Sequence, residues 1–179
     1  LVFRPADIVQ VNAEMNRKMI MRAVELLDPG PQDRVLDLFC GLGNFTLPMA
    51  SRAGQVVGIE GDAELVRKAS DNAARNAQEN VSFHMADLNQ DPGAAPWLRE
   101  PYDKVLVDPP RSGAGQAVTD QVARLQPRRI AYVSCDPATF ARDARHLVEN
   151  GYLLHEVQPV DLFPQTYHVE SVAVFVRAG

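Results

Sequence analysis

Cysteine is scarce in this chain. Its 179 residues contain two, Cys40 and Cys135. They lie far apart and form no C-x-x-C, which excludes a disulfide scaffold, a zinc finger and a four-cysteine iron–sulfur cluster within these residues. No metal site is expected. Free thiols suit a reducing, cytoplasmic setting. Also missing is any apolar run long enough to cross a bilayer, so no membrane partner is expected. Positive charge is not in excess: 18 Lys and Arg stand against 23 Asp and Glu, for a net charge of -5 and a pI near 5.3. That balance excludes a whole-surface electrostatic grip on nucleic acid and leaves room for a local basic stripe. The opening Leu-Val-Phe-Arg-Pro lacks the layout of a signal peptide, and a chain beginning at Leu1 reads as a fragment or processed product. What remains is an ordinary globular composition, 46% apolar and 23% charged, of a length that fits one domain better than two.

The pattern along the chain alternates between strand and helix. Met15, Met19, Ile20, Ala23, Val24 and Leu27 fall at helical spacing, and Asp28-Pro29-Gly30-Pro31 ends that helix, so residues 1–30 read as a helical lead-in. Strand-like runs come next at 35–40, 56–60, 81–85, 105–108, 130–135, 152–157 and 172–176. Helical patterns lie between most of them, at 44–53, 62–77, 116–125 and 137–149. Buried β-branched strands separated by helices predict an α/β fold, a seven-stranded, mostly parallel sheet of Rossmann-like type covered on both faces. The last two strands have no helix between them and are expected to pair antiparallel at one edge. The whole of 1–179 reads as a single domain.

Such a sheet binds ligands beyond the carboxyl ends of its strands. Three of those ends agree. After the first comes Asp37-Leu38-Phe39-Cys40-Gly41-Leu42-Gly43-Asn44, a glycine turn in which Gly41 lets backbone approach a ligand closely. A dinucleotide site wants a third glycine where Thr46 stands, and Asp37 argues against phosphate. Glu60 ends the second strand, where a carboxylate suits a ribose diol, and Asp87 after the third suits an adenine amino group. Two acidic anchors beside a glycine turn fit a nucleoside without phosphate and with a positive sulfonium, S-adenosylmethionine. Cys40 directly follows an apolar strand and reads as packing.

Two further loops carry nucleophile and base candidates. In Ser134-Cys135-Asp136-Pro137, Asp136 and Pro137 form a helix start, N-cap then first turn. The dipole of that helix is expected to lower the Cys135 thiol, with the Asp136 charge opposing it. A lone cysteine is often just a small buried side chain. Its place at a strand's carboxyl end favours a nucleophile. Glu170, entering the last strand, is the candidate general base. Asp108-Pro109-Pro110-Arg111 follows the fourth strand, where Asp108 faces either ligand or merely starts a turn. Arg111, Arg17, Lys18 and Arg22 are candidate phosphate contacts, although a solvated helix face explains the last three equally well.

Together, Gln10-Val11-Asn12, the 37–46 segment, Asp108-Pro109-Pro110-Arg111, Ser134-Cys135 and His168-Val169-Glu170 resemble the RNA uracil-5-methyltransferases, over Phe3 to Val176. The glycine turn is most similar to the branch acting on 23S rRNA. The resemblance implies S-adenosylmethionine contacts from Gln10, Phe39, Asn44, Glu60, Asp87 and Asp108, with Cys135 as nucleophile and Glu170 as base. Arg111 would then contact the RNA, and the chain is expected to act as a monomer. The family commonly has Asn at the place of Asp136 and often His at that of Gln165. Its RNA-binding barrel and iron–sulfur domain are not among these residues.

The chemistry explains the residue types. Uracil C5 is a weak nucleophile until a thiolate adds to C6, and a base must then remove the C5 proton. Stacked bases hide both ring faces, so the uridine must be unpaired or flipped out. Three alternatives stand beside this reading. An amino-methyltransferase of the Asp-Pro-Pro type expects an aromatic residue where Arg111 stands. A nicotinamide-dependent dehydrogenase needs the missing glycine, and a binding module without turnover needs no thiol.

Overall fold

The computed structural model describes residues 5–160 and 170–179, with side chains described from residue 13 onward. Helix α1 (Pro5–Leu27) leads into β1 (Arg34–Leu38), α2 (Thr46–Ala50), β2 (Gln55–Glu60), α3 (Ala63–Arg75) and β3 (Val81–Met85). Then come β4 (Lys104–Val107), α4 (Gln116–Leu125), β5 (Arg129–Ser134), α5 (Pro137–Glu149), β6 (Tyr152–Val160) and β7 (Glu170–Arg177). The expected bounds of α4 and α5 agree with these. The lead-in helix starts earlier than its apolar stripe, and α2 is shorter than the 44–53 pattern because the glycine turn occupies its first residues.

The described strands form one sheet in the order β3-β2-β1-β4-β5-β7-β6. Pairing is parallel from β3 through β5, and β7 runs antiparallel to both neighbours. The expected antiparallel pair is therefore present, with β7 inserted between β5 and the edge strand β6. Strand order reverses between β1 and β4, which opens the crevice at their carboxyl ends.

Side chains alternate strictly across the sheet, as the pleat requires. Leu36, Leu38, Val105, Val107, Ile130, Tyr132, Ala173 and Phe175 pack on one face with Val118 and Val122 of α4 and Leu147 of α5. Val35, Leu106, Ala131, Val133, Val172 and Val174 pack on the other with Ala23, Val24 and Leu27 of α1 and Met49 of α2. Both faces of the central strands are dry, so those strands present their chemistry at their ends. At the amino ends a closed ion network forms. Buried Lys104 reaches Asp33 at 3.1 Å, and Arg128 bonds Asp33 and also Asp103 at 3.2 Å. Burial opposes the Asp33 charge, but the Gly30 N–H, Arg128 and Lys104 hold it below the usual carboxylate range. No described helix is long and apolar enough to cross a membrane.

Candidate functional site

The glycine turn begins one residue earlier than its sequence suggests. β1 stops at Leu38 because Phe39 takes φ +62°, a left-handed conformation uncommon for a bulky residue and the kind of backbone cost that collects at functional sites. Cys40 thus lies past the strand. It is buried, and burial drives its thiol far above the ordinary range, in keeping with packing. Gly41 (φ +54°) donates its N–H to Glu60 Oε2 at 3.0 Å. The other oxygen, Glu60 Oε1, accepts from the N–H groups of Gly61 at 2.8 Å and Asp62 at 3.1 Å. Glu60, the expected ribose contact, thus staples the turn to the end of β2. Asn44 is exposed within the turn.

Thr46 stands where a third glycine would be, and the structure shows why. Its hydroxyl donates at 2.5 Å to Oδ2 of Asp37, which is fully buried, while Asp37 Oδ1 is buried with no hydrogen-bond partner. Burial pushes the Asp37 carboxyl up to about 7, with Asp108 and Glu60 adding to the rise and the Thr46 hydroxyl opposing it.

An open cleft of about 400 Å³ lies beside this turn, lined by Phe39, Glu60, Gly61, Ala86, Asp87, Leu88 and Asn89. It gathers three of the expected ligand residues, Phe39, Glu60 and Asp87. Asp87 Oδ1 accepts from the Asn89 N–H at 2.9 Å, which shapes the loop around it. The side chain of Gln10, and residues 161–169 with Gln165 and His168, lie outside the described residues.

On the other side of the crevice, β7 supplies what a parallel strand would not. Ser134 faces Ser171 in the antiparallel register, and just beyond that pair, at the carboxyl end of β5, the Glu170 charge acts on the Cys135 thiol. Asp108 meets them there. Its carboxyl is pushed up to about 7, first by burial and then by the Glu170 charge. Cys135 is half-buried, and here the expected lowering is corrected. Burial raises its thiol above the ordinary value, Glu170 and Asp108 add to the rise, and Arg111 works in the opposite direction. The Asp136 charge is occupied elsewhere. Its Oδ1 caps α5, accepting from the Ala138 and Thr139 N–H groups at 3.0 Å each, and its Oδ2 lies 3.6 Å from Arg111 Nε. Those N–H groups, Thr139 first, hold it below the usual carboxylate range.

The basic candidates divide. The Arg111 side chain is 74% exposed beside the thiol. Lys18 pairs with Glu14 at 2.9 Å, and Arg22 pairs with Glu25 at 3.2 Å and donates to Gln158 at 2.6 Å. Arg17 is exposed on the same helix. Among the described residues no group of His, Cys, Asp and Glu could hold a metal ion. The sequence reading missed Thr139, Arg142 and Asp143, which grip the loop after Asp108. Their one visible signal is polar spacing of three and four along α5.

Residues 29–165 match the family described as "Methyltransferase domain". Over 178 residues the chain is 56% identical to "23S rRNA (uracil(1939)-C(5))-methyltransferase RlmD" of Stenotrophomonas maltophilia, covering 99% of this chain and 40% of that protein. The same figures hold for the protein of that name from Xanthomonas axonopodis pv. citri. The chain thus spans 40% of the length of these relatives. In structure it is similar to the Pyrococcus abyssi tRNA (uracil-54, C5)-methyltransferase in complex with S-adenosyl-L-homocysteine, with a TM-score of 0.75 at 31% identity over 89% of this chain and 37% of the other. TrmN from Thermus thermophilus shares the fold, with a TM-score of 0.71 at 22% identity over 90% of this chain and 48% of the other.

Proposed function

The chain belongs to the methyltransferase-domain family, and from that premise we propose that it is the catalytic domain of an S-adenosylmethionine-dependent methyltransferase acting on uracil C5 in RNA, with 23S rRNA as substrate. The observation that carries the reading is the insertion of β7, which sets Glu170 beside Cys135 at the strand ends that also bear Asp108. A thiol and a carboxylate so paired serve C6 addition and C5 deprotonation. An amino-methyltransferase needs neither, and in place of an aromatic residue after Pro110 this chain has Arg111 turned toward Asp136.

The donor set fits the cofactor. Asp37 and Asp108 are both carboxyls raised to about 7 by burial and by other carboxylates. Asp37 keeps one buried oxygen without a partner. A site short of positive charge favours a cation, and S-adenosylmethionine carries a sulfonium and an ammonium. Phe39, Glu60 and Asp87 would hold its adenosine in the 400 Å³ cleft, with Gly41, Asn44 and Gln10 as the further contacts. When bound, it supplies the electrophilic methyl group.

This chain's own residues do the rest. The Cys135 sulfur adds to C6 as a thiolate, the C5–C6 double bond opens, and its electron pair is placed at C5. Arg111 favours the thiolate and, being exposed, is available to an RNA phosphate. Once C5 is methylated, the Glu170 carboxylate takes the C5 proton, the electron pair re-forms the double bond and the sulfur leaves.

RNA carrying 5-fluorouridine at the target tests this sequence of steps. Fluorine leaves Glu170 no proton to remove, so the full-length protein should accumulate a covalent protein–RNA adduct. The adduct should require S-adenosylmethionine and Cys135 but not Glu170. An undiminished adduct with Cys135→Ala, or mapping of the adduct to Cys40, refutes the assignment.

A further inference from the structure

The loop that leaves β4 is gripped by one face of α5. Thr139, Arg142 and Asp143 stand three and four residues apart, which places them on one side of the helix. Each takes a different piece of the loop. Thr139 Oγ1 donates to the Arg111 carbonyl at 3.1 Å, and Arg142 Nη2 donates to the Ser112 carbonyl at 3.0 Å. Asp143 Oδ2 accepts from the Ala114 N–H at 2.7 Å and, more loosely, from the Gly115 N–H at 3.4 Å. Tyr132 donates to the same oxygen at 2.6 Å from the sheet below. Gly113 sits between them at φ +83°, and a Cβ there would come within 2.5 Å of Arg142 Nη2 and 2.7 Å of Asp143 Oδ2. Loop backbone and helix face are therefore in direct contact.

Apolar packing would hold a surface loop without burying a charge. Asp143 is fully buried, and taking a carboxylate out of water is costly even with Arg142 Nε donating to its Oδ1 at 3.0 Å. What hydrogen bonds add over packing is direction, because each fixes the orientation of one peptide unit. The direction matters at the far end of α5. That helix begins immediately after Cys135, and its N-cap Asp136 lies 3.6 Å from Arg111 Nε. One helix thus holds both the thiol's helix start and the loop carrying Arg111.

We propose that Thr139, Arg142 and Asp143 are positioning residues that clamp the 111–115 loop onto α5 and so hold the Arg111 guanidinium beside Cys135. The importance of this for catalysis rests on the reading of Cys135 as nucleophile, whereas the geometry does not. Three charged groups bear on the thiol, Glu170 from β7 and Asp108 and Arg111 from the loop after β4, while the Asp136 carboxylate at its own helix start is taken up by the α5 N–H groups and faces Arg111. Arg111 is the cation among them, so releasing the loop removes the group that favours the thiolate.

The test is the pH dependence of Cys135 alkylation by iodoacetamide in the full-length protein, with peptide mass mapping to count buried Cys40 separately. In Thr139→Val and Asp143→Asn the alkylation rate at pH 8 should fall about threefold, the equivalent of about half a pKa unit. Arg111→Ala should show the same fall and add nothing when combined with Thr139→Val. Thr139→Ser keeps the hydroxyl and should restore the wild-type profile, which a general loosening would not predict. If Asp143→Asn fails to fold, Thr139→Val decides alone, since it leaves the buried carboxylate and its partners in place. An unchanged profile in Thr139→Val, an equal shift in Thr139→Ser, or no shift in Arg111→Ala overturns the proposal. Failure of the methyltransfer reading shows separately, as absence of methylated RNA from the wild-type protein.

Discussion

Asp37→Asn separates the cost of a buried charge from that of a lost shape. Asp37 is fully buried on β1, with Thr46 on one oxygen and no partner on the other. Burial above all lifts its carboxyl from 3.8 to about 7. A folded-state value above the unfolded one means that the native chain holds a proton which the unfolded chain has released. The resulting stability is fully present below about pH 4 and is lost as pH rises to about 7, then levels off. From 3.8 to about 7 the loss reaches ~4 kcal/mol at 1.36 kcal/mol per unit, a ceiling because Asp108 and Glu60 share the repulsion. Between pH 5 and pH 8 the share is ~2–3 kcal/mol.

Asn has the same shape and does not ionise. Its carbonyl still accepts the Thr46 hydroxyl, but its NH2 replaces the partnerless oxygen and leaves a buried donor unpaired, at ~1–3 kcal/mol. At pH 5 the wild-type carboxyl is itself protonated and already carries one hydrogen, so the variant should be the less stable protein by at most that amount. By pH 8 the gap should close or reverse, because only the wild type has lost stability through this carboxyl. Urea denaturation at the two pH values, with equal m-values, reads the difference directly. Parallel losses in the two proteins refute the account, and a slope left in the variant comes from other groups, the raised carboxyl of Asp108 among them. The same carboxyl links to ligand binding: calorimetry should show S-adenosylmethionine affinity rising with pH to about 7, and rising less in Asp37→Asn.

Other substitutions test other parts of the structure. Glu60→Ala strips the acceptor from three backbone N–H groups, so calorimetry should show S-adenosylmethionine binding lost and Tm lowered together; NAD binding more tightly than S-adenosylmethionine would overturn the reading of the cleft. Gly58→Ala places a Cβ 2.7 Å from Phe83 Cδ1 and 2.9 Å from Cys40 Sγ, and should cost ~1–3 kcal/mol in chemical denaturation, partly relieved by Cys40→Ala. Lys104→Met removes a buried partner of Asp33 and should destabilise by ~3–5 kcal/mol; a loss near zero would mean that Arg128 and the Gly30 N–H satisfy that carboxylate alone.

Short-range pattern is the part of this fold that was legible in the sequence. The strand-like runs at 35–40, 56–60, 105–108 and 130–135 fall on β1, β2, β4 and β5 to within two residues, and the polar residues at their ends point to the candidate site. Asp136-Pro137 announces α5 because N-cap and first-turn preferences are local. Phe39 at φ +62° left no trace, since nothing about phenylalanine favours that conformation and the surrounding fold imposes it. The thiol of Cys135 went the wrong way for a similar reason. Its helix start is local, while Glu170 and Asp108 reach it only through strand order. The antiparallel pairing of the last strands could be inferred from the missing helix between them, but insertion of β7 beside β5 could not, because pairing partners are chosen across the whole sheet. The clamp on α5 stayed hidden because its bonds join residues about thirty apart in sequence.

The two ends of the sheet treat charge in opposite ways, and the contrast bears on function. At the amino ends each carboxylate meets a cation: Asp33 has Lys104 and Arg128, Asp103 has Arg128, and Glu100 has Arg34. Those pairs close on themselves and offer nothing to a ligand. At the carboxyl ends Asp37, Glu60, Asp108 and Glu170 gather, and the cation nearest the thiol, Arg111, is already turned toward Asp136. A chain selected for stability alone would pair Asp37 and Asp108 as it pairs Asp33. Pairing them, however, would supply from within the protein the positive charge that the site otherwise draws from its ligand. The carboxyls of Asp37 and Asp108, raised first by burial and then by neighbouring carboxylates, therefore favour a cation at that end, and a bound sulfonium would lower both together.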